Sequence, residues 1–259
     1  MHLTGIDLVL WAASFIGHLT LLLVLIIRHR VKLFPFFTAL IAANIVRTIA
    51  LYAILHYGTK SDYFYTYWSL AIVDVILQLC VVYEMSAHIF RPLGVWAKDV
   101  RRIFIWLIGG SVVVAAALTW LATPKTRLWM QSVVIKGSFF SAALMSELFV
   151  GMMALSVAVG LPWKTHVGKI VQALGFYSMV DVFIEAGHSY FGVGHDIRIY
   201  AELSHLRIAI YLVCLIYWNT ALWKEAPAPR RLPEDMRVRL FSLYQSVEYD
   251  LRKLRLWRR

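Results

Sequence analysis

The chain has little charge and almost no cysteine. Charged residues make up 16% of it and hydrophobic residues 60%, whereas an average soluble domain is about 25% charged and about 45–50% apolar. The only two cysteines, Cys80 and Cys214, fall inside long apolar runs, where small packing residues are expected. This composition excludes an ordinary soluble core and an extracellular disulfide framework.

Several common catalytic signals are also missing from the sequence. Neither H-E-x-x-H nor G-x-S-x-G occurs, so the usual patterns of zinc proteases and of hydrolases with a nucleophile elbow are absent. A retinal protein needs a lysine inside its last helix to form the Schiff base. The last apolar run, IAIYLVCLIYWNTAL, contains no lysine, and no retinal is therefore expected.

What the chain does contain is seven long apolar runs. A helix needs about 20 apolar residues to cross the hydrocarbon layer, and each crossing must be helical because lipid offers the backbone no hydrogen-bond partners. The sequence therefore predicts an all-α, polytopic bundle of seven transmembrane helices. The predicted spans are 6–27, 34–55, 63–90, 103–121, 128–159, 170–191 and 200–223.

The distribution of lysine and arginine predicts the orientation of this bundle. Loops after the first, third and fifth spans hold nine of them, the opposite loops hold four, and another ten follow Trp223. Basic residues concentrate on the cytoplasmic side, so we expect the N-terminus outside, the C-terminus in the cytoplasm and a multi-pass location in the inner (plasma) membrane. The net charge of +11 then reflects topology and does not predict a nucleic-acid partner.

The chain changes character after the predicted bundle, which comprises residues 1–223. Three prolines in residues 224–233 predict a semi-rigid linker. Residues 234–259 carry an apolar stripe surrounded by basic residues, which predicts a cytoplasmic amphipathic helix on the anionic lipids of the inner leaflet. Docking of this helix to a cytoplasmic partner or a short coiled coil stays open, as does a homo-oligomer.

Leaving aside Asp7 at the outer rim, nine charged residues fall inside the predicted spans. A charge at the bilayer centre costs about 2.5–3.5 kcal/mol on insertion scales, so such residues usually face the bundle interior and have partners. The six acids outnumber the three bases, which leaves histidines, protons or a cation to balance the rest. The acids are Asp74, Glu84, Glu147, Asp181, Glu185 and Glu202, and the bases are Arg47, Lys136 and Arg207.

The stretch between residues 183 and 205 contains Glu-x-x-His twice, as Glu185 with His188 and as Glu202 with His205. The sixth and seventh spans should be antiparallel neighbours, which brings the two pairs to similar depths in the outer half of the bundle. Di-metal carboxylate proteins use a similar grouping. We therefore predict an outward-facing ligand site that also includes Asp74 and Asp181, with a transition metal possible on the two Glu-x-x-His pairs.

Other interpretations of these pairs stay open. A Glu and a His three residues apart can simply hydrogen-bond each other near the headgroups, and a His with neighbouring acids can also transfer protons. A second group on the inner side, Glu84 and His88 with Glu147 from the fifth span, is either a helix-end pairing or a switch that links the pocket to the inner loops.

Two stretches carry a resemblance to known sequences. YFYTYW at residues 63–68 and YEMSAHIFRP at residues 83–92 resemble a group of uncharacterised bacterial seven-helix membrane proteins. The resemblance covers the bundle and implies its fold, but no activity, cofactor or site residue.

The sequence thus predicts a small-ligand or ion-binding sensor, receptor-like protein or carrier. The alternatives are an intramembrane metal-dependent enzyme acting on lipid or quinone, and a structural or assembly protein whose polar groups specify helix packing.

Overall fold

The computed structural model describes residues 5–90, 97–122, 129–158, 165–195 and 197–225. All regular secondary structure within these ranges is helical, which confirms the predicted all-α class and the seven helices. The helices are α1 Gly5–Ile27, α2 Pro35–Tyr57, α3 Lys60–Phe90, α4 Ala97–Leu121, α5 Trp129–Ala158, α6 His166–His195 and α7 Ile197–Trp223.

Six of these helices are long and apolar enough to cross a membrane, and α4 contributes a shorter apolar stretch, Ile105–Leu121. Large apolar side chains such as Trp106, Trp120 and Phe183 are exposed on the outside of the bundle, as expected for surfaces that face lipid. The chain is therefore a multi-pass integral membrane protein. The orientation of its termini stays a prediction.

Helix α3 packs mainly on α2 and also contacts α5 and α6, and α6 packs between α5 and α7. Helix α1 bridges α2 and α7, and α4 packs on α5. Two glycines mark close approaches: a Cβ on Gly175 would lie 2.9 Å from Met153 Cε, and one on Gly187 would lie 2.9 Å from Leu203 Cδ1. Small residues thus let α6 approach both α5 and α7 closely.

Local signals define the ends of two helices. Helix α1 ends in a Schellman motif, in which Arg30 N donates to Leu25 O and His29 N donates to Ile26 O, with His29 at a φ of 52°. Helix α3 begins with a reciprocal capping box, in which Thr59 N donates to Asp62 Oδ2 and Asp62 N donates to Thr59 Oγ1.

The connection between α6 and α7 is shorter than the sequence predicts. We expected a turn of about eight residues that includes Gly192 and Gly194, but α6 continues through both to His195 and α7 begins at Ile197. A glycine costs a helix only about 1 kcal/mol relative to alanine, which the surrounding helical residues can offset. The predicted amphipathic tail at 234–259 and most of the predicted linker lie outside the described residues.

Candidate functional site

A cavity of about 520 Å³ lies among α2, α3, α5, α6 and α7. Some lining side chains come from the middle of these helices, as Asn44 does in α2 and Ser141 in α5, whereas Trp68 lies near the start of α3 and Trp218 near the end of α7. The cavity therefore extends along the bundle, whereas the sequence predicts a site in its outer half. Its polar lining residues are Asn44, Arg47, Tyr67, Asp74, Gln78, Ser138, Ser141, Tyr177, Ser178, Asp181, Glu185, Arg207 and Tyr211.

On one side of the cavity, a single guanidinium contacts two carboxylates of α6. Arg207 Nη1 lies 2.6 Å from Glu185 Oε1 and 3.6 Å from Asp181 Oδ1. The shorter distance is that of a charge-assisted hydrogen bond. Glu185 is only 4% exposed, so this arginine compensates a carboxylate that is almost fully removed from solvent.

Behind Glu185 lies His188, which is 2% exposed. Its Nδ1 is 3.5 Å from Glu185 Oε2, and its Nε2 is 3.3 Å from Tyr200 O. The same Nε2 lies 3.3 Å from Ser204 Oγ, and because a carbonyl oxygen only accepts, the contact with Tyr200 O forms a hydrogen bond when Nε2 carries the proton. The ring also stacks on Tyr200, with 4.1 Å between centroids.

The opposite wall of the cavity is formed by α2 and α3. Gln78 Nε2 donates to Asp74 Oδ2 over 2.7 Å, and Arg47 Nη1 lies 3.9 Å from the same oxygen. The Arg47 guanidinium also lies over the Tyr67 ring, 5.5 Å from its centroid, within the range of a cation–π contact. This arginine is therefore held at the cavity by a carboxylate and an aromatic face together.

Aromatic side chains complete the lining. The rings of Tyr177 and Tyr211 meet edge to face at 5.0 Å. His18 Nδ1 lies 2.7 Å from Ser14 O, so that nitrogen donates, and Tyr211 then donates its hydroxyl proton to His18 Nε2 over 2.8 Å. Helix α1 thereby fixes an aromatic wall of the cavity. Trp218 also lines it, and within the described residues its buried Nε1 has no hydrogen-bond partner.

The structure brings four of the six predicted ligand-binding residues to this region: Asp74, Asp181 and Glu185 line the cavity, and His188 packs behind Glu185. The other two point elsewhere. Glu202 is 66% exposed and lies 3.4 Å from Arg198, and His205 Nε2 lies 2.7 Å from Asp7 Oδ1 of α1.

The two Glu-x-x-His pairs therefore do not meet. The physical reason is helical phase: at about 100° per residue, Arg207 lies about 200° around α7 from His205, so turning Arg207 toward α6 turns His205 away. The four predicted metal ligands, Glu185, His188, Glu202 and His205, are not assembled into one site. Among the described residues there is no group of three or more His, Cys, Asp or Glu side chains that could hold a metal ion.

Arg207 is the site residue that sequence reasoning overlooked, although it was recognised as a base within a span. A signal for it was present. Because α6 and α7 are antiparallel, each residue of α6 can be matched with the residue of α7 at the same depth. This matching places Glu185 level with His205. It also places Arg207 level with residue 183, midway between Asp181 and Glu185. An arginine inside a span needs an acidic partner, and these two acids were the nearest available.

The predicted inner-side group is not assembled either. Both oxygens of Glu84 accept hydrogen bonds from the start of α2, from Phe36 N and Phe37 N at 3.0 Å each. His88 instead contacts backbone, with Nδ1 2.9 Å from Glu84 O. Glu147 is hydrogen-bonded to Ser111 of α4. Glu84 and Glu147 thus contact different helices. Glu84, a residue of α3, caps the N-terminus of α2.

The fold and the cavity together define the class: a seven-helix integral membrane protein with a charged interior. Comparison with protein-family models, curated proteins and solved structures found no match. The resemblance to uncharacterised bacterial seven-helix proteins therefore stays a prediction.

Proposed function

We propose that this protein binds a small polar ligand in the cavity and acts as a sensor or receptor-like protein, or as a carrier, in a bacterial inner membrane. The observation that carries the proposal is the convergence of charged side chains from four helices on one space: Arg47 from α2, Asp74 from α3, Asp181 and Glu185 from α6, and Arg207 from α7. Charged groups inside a membrane domain mark binding sites and ion pathways.

The size of the cavity supports the same conclusion. Small-molecule sites usually measure about 300–1,000 Å³ and combine an apolar wall with a few convergent polar groups. A volume of about 520 Å³ with aromatic and charged walls fits that description. Polar groups that served packing alone would instead be expected to meet without leaving space between them.

We favour the sensor over the carrier. The sequence shows no internal repeat, whereas many carriers are built from paired halves with broken helices. The basic tail predicted beyond the bundle would lie in the cytoplasm, where it would respond to a ligand-induced change in the helices.

The proposal is tested by native mass spectrometry of the protein released from lipid, followed by thermal unfolding of the same preparation with a library of small polar molecules. We expect a co-purifying molecule or a stabilising hit. Binding should be weakened by Glu185→Gln in the cavity and unchanged by Glu202→Gln, the same substitution at an exposed position of α7. Uptake of the hit into proteoliposomes then separates a carrier from a sensor. Cavity variants that change stability while nothing binds would point to the structural or assembly protein instead.

A further inference from the structure

We infer that the ligand is a small organic cation, whose positive charge lies against Asp181 and Glu185 and whose apolar body lies against the aromatic wall. The inference rests on the proposed function and deepens it by naming the class of ligand. Three observations on the cavity carry it: its balance of charge, the contacts that its arginines already make, and its aromatic lining.

The charges that line the cavity do not balance. Three carboxylates, Asp74, Asp181 and Glu185, face two guanidiniums, Arg47 and Arg207. Asp74 is paired with Arg47 on the α2–α3 side. The excess negative charge therefore lies on the α6–α7 side, where Arg207 alone neutralises both Asp181 and Glu185.

An excess charge at this depth requires compensation, because ionised groups inside a membrane domain are costly without a partner. Three sources could supply one positive charge here. A proton could bind to one of the two carboxylates, or to His188, whose Nδ1 lies 3.5 Å from Glu185 Oε2. The third source is a cation in the cavity, which both carboxylates line.

The geometry favours the cation. Asp181 lines the cavity, and its Oδ1 lies 3.6 Å from Arg207 Nη1, which is longer than a hydrogen bond. A proton on His188 lies beside Glu185 and leaves Asp181 unchanged, whereas a cation in the cavity would meet both carboxylates.

The arginines do not offer an equivalent site for an anion. Arg207 Nη1 already donates to Glu185 over 2.6 Å. Arg47 lies between Asp74 at 3.9 Å and the Tyr67 ring at 5.5 Å. An anionic ligand would have to enter beside three carboxylates, and it would compete with them for the same two guanidiniums.

Aromatic faces provide the complementary surface for an organic cation. Tyr67, Trp68, Tyr177, Tyr211 and Trp218 all line the cavity. Aromatic rings attract organic cations by about 0.5–2 kcal/mol per contact, and the Arg47 guanidinium already uses the Tyr67 ring in this way. A hydrated inorganic ion gains little from such walls, so an ammonium or related head on a compact apolar body suits the cavity best.

The test uses probes that match in shape and differ in charge. Choline is compared with its neutral isostere 3,3-dimethylbutan-1-ol, and phenethylamine with 2-phenylethanol and phenylacetate. Binding to the full chain in nanodiscs is measured by thermal unfolding and by calorimetry. We expect the cations to bind about 10- to 100-fold more tightly than their neutral partners, as for contacts to a charged group, and phenylacetate not to bind.

Substitutions assign the preference to the proposed residues. Asp181→Asn and Glu185→Gln should each remove about 10-fold or more of the preference for cations, while Glu202→Gln leaves it unchanged. Two single variants are used because either one alone could fold poorly, and the neutral probe reports whether the cavity is intact in each. His188→Gln should keep the preference if a ligand supplies the compensating charge.

Three outcomes overturn the inference, and they are distinguishable from one another. Equal binding of cationic and neutral probes, or tighter binding of phenylacetate, removes the cation and leaves the cavity as a ligand site. A preference for cations that is absent from the unaltered chain and appears in His188→Gln shows that a proton on His188 supplies the balancing charge. Absence of binding by every probe, together with no co-purifying molecule, overturns both this inference and the proposed function.

Discussion

Arg207 contacts two carboxylates in the middle of the bundle, and its removal should be costly. Arg207→Gln leaves Asp181 and Glu185 facing each other without a cation. Breaking a buried ion pair from one side typically costs about 3–5 kcal/mol. We expect a loss of about 3 kcal/mol in the free energy of unfolding, measured by denaturation with SDS in mixed micelles.

The matched control is Arg198→Gln, at the start of the same helix. Arg198 is 88% exposed and its carboxylate partner Glu202 is exposed as well, so the loss should stay below about 1 kcal/mol. Equal effects of the two substitutions would show that Arg207 does not compensate buried charge.

At the residue scale, the sequence predicts which side chains line the cavity better than it predicts which side chains they contact. The polar stripe of α6, with Tyr177, Asp181 and Glu185, is found at the cavity as the helical spacing requires. The face of α7 was predicted from Glu202 and His205, yet Arg207 and Tyr211 face the cavity. Both faces of α7 carry polar residues near its start, so periodicity alone could not choose between them.

At the element scale, Glu84 connects two helices by capping one from the side of another. Helix α2 begins with Pro35 and has no cap from its own side chains, so its first free N–H groups depend on the Glu84 carboxylate. Glu84→Ala should destabilise the protein by about 2 kcal/mol, since hydrogen bonds to a charged group contribute about 1.5–3 kcal/mol.

Hydrogen exchange measured by mass spectrometry localises this effect. The amides of Phe36 and Phe37 should exchange faster in Glu84→Ala, and Glu84→Gln should show a smaller increase because one oxygen is kept. Unchanged exchange at the start of α2 would contradict the capping role.

The end of α1 offers a substitution that should stabilise the protein. His29 adopts a φ of 52° in the Schellman motif, a conformation that costs a residue with a Cβ about 1–2 kcal/mol. Glycine is free of this penalty. His29→Gly should therefore raise the free energy of unfolding by about 1 kcal/mol.

The control for this prediction is His56→Gly, a glycine placed in the last turn of α2. It should lower the free energy of unfolding by about 1 kcal/mol, so the two histidine-to-glycine changes have opposite expected signs. A decrease with both would mean that the His29 side chain contributes more than its backbone conformation costs.

The existence of the helices could be predicted from apolar length alone, but several of their ends could not. The start of α3 at Lys60 follows from the box between Thr59 and Asp62, a short signal that hydropathy does not record. The continuation of α6 through Gly192 and Gly194 contradicts the local turn signal, because a glycine in a helix costs less than the helix gains from its neighbours.

At the scale of the whole molecule, the described helices enclose a cavity whose charges come from residues far apart in sequence. Periodicity places Asp74 and Asp181 on inward faces, but only the packing of α2, α3, α6 and α7 around one space brings Arg47 and Arg207 to them. The sequence therefore predicts a polar interior, whereas its depth and its pairing depend on tertiary packing.

The orientation of the molecule stays a prediction and is directly testable. Alkaline phosphatase fused at Gly58, in the turn between α2 and α3, should be active if that turn is outside. Green fluorescent protein fused after Lys32, in the turn between α1 and α2, should fluoresce if that turn is cytoplasmic. The reverse pattern would place the N-terminus inside.

Cysteine accessibility at two neighbouring positions of α2 shows whether the charged side chains surround a water-accessible interior. Asn44 lines the cavity, whereas Val46 lies two residues further along and is 57% exposed on the outer surface. With Cys80 and Cys214 replaced by alanine, we expect a cationic methanethiosulfonate to modify Asn44→Cys in intact membranes, because only a thiolate in contact with water reacts. Val46→Cys should stay unmodified. Reaction at Val46→Cys and protection of Asn44→Cys would contradict the account, since the charged side chains would then not surround an accessible interior.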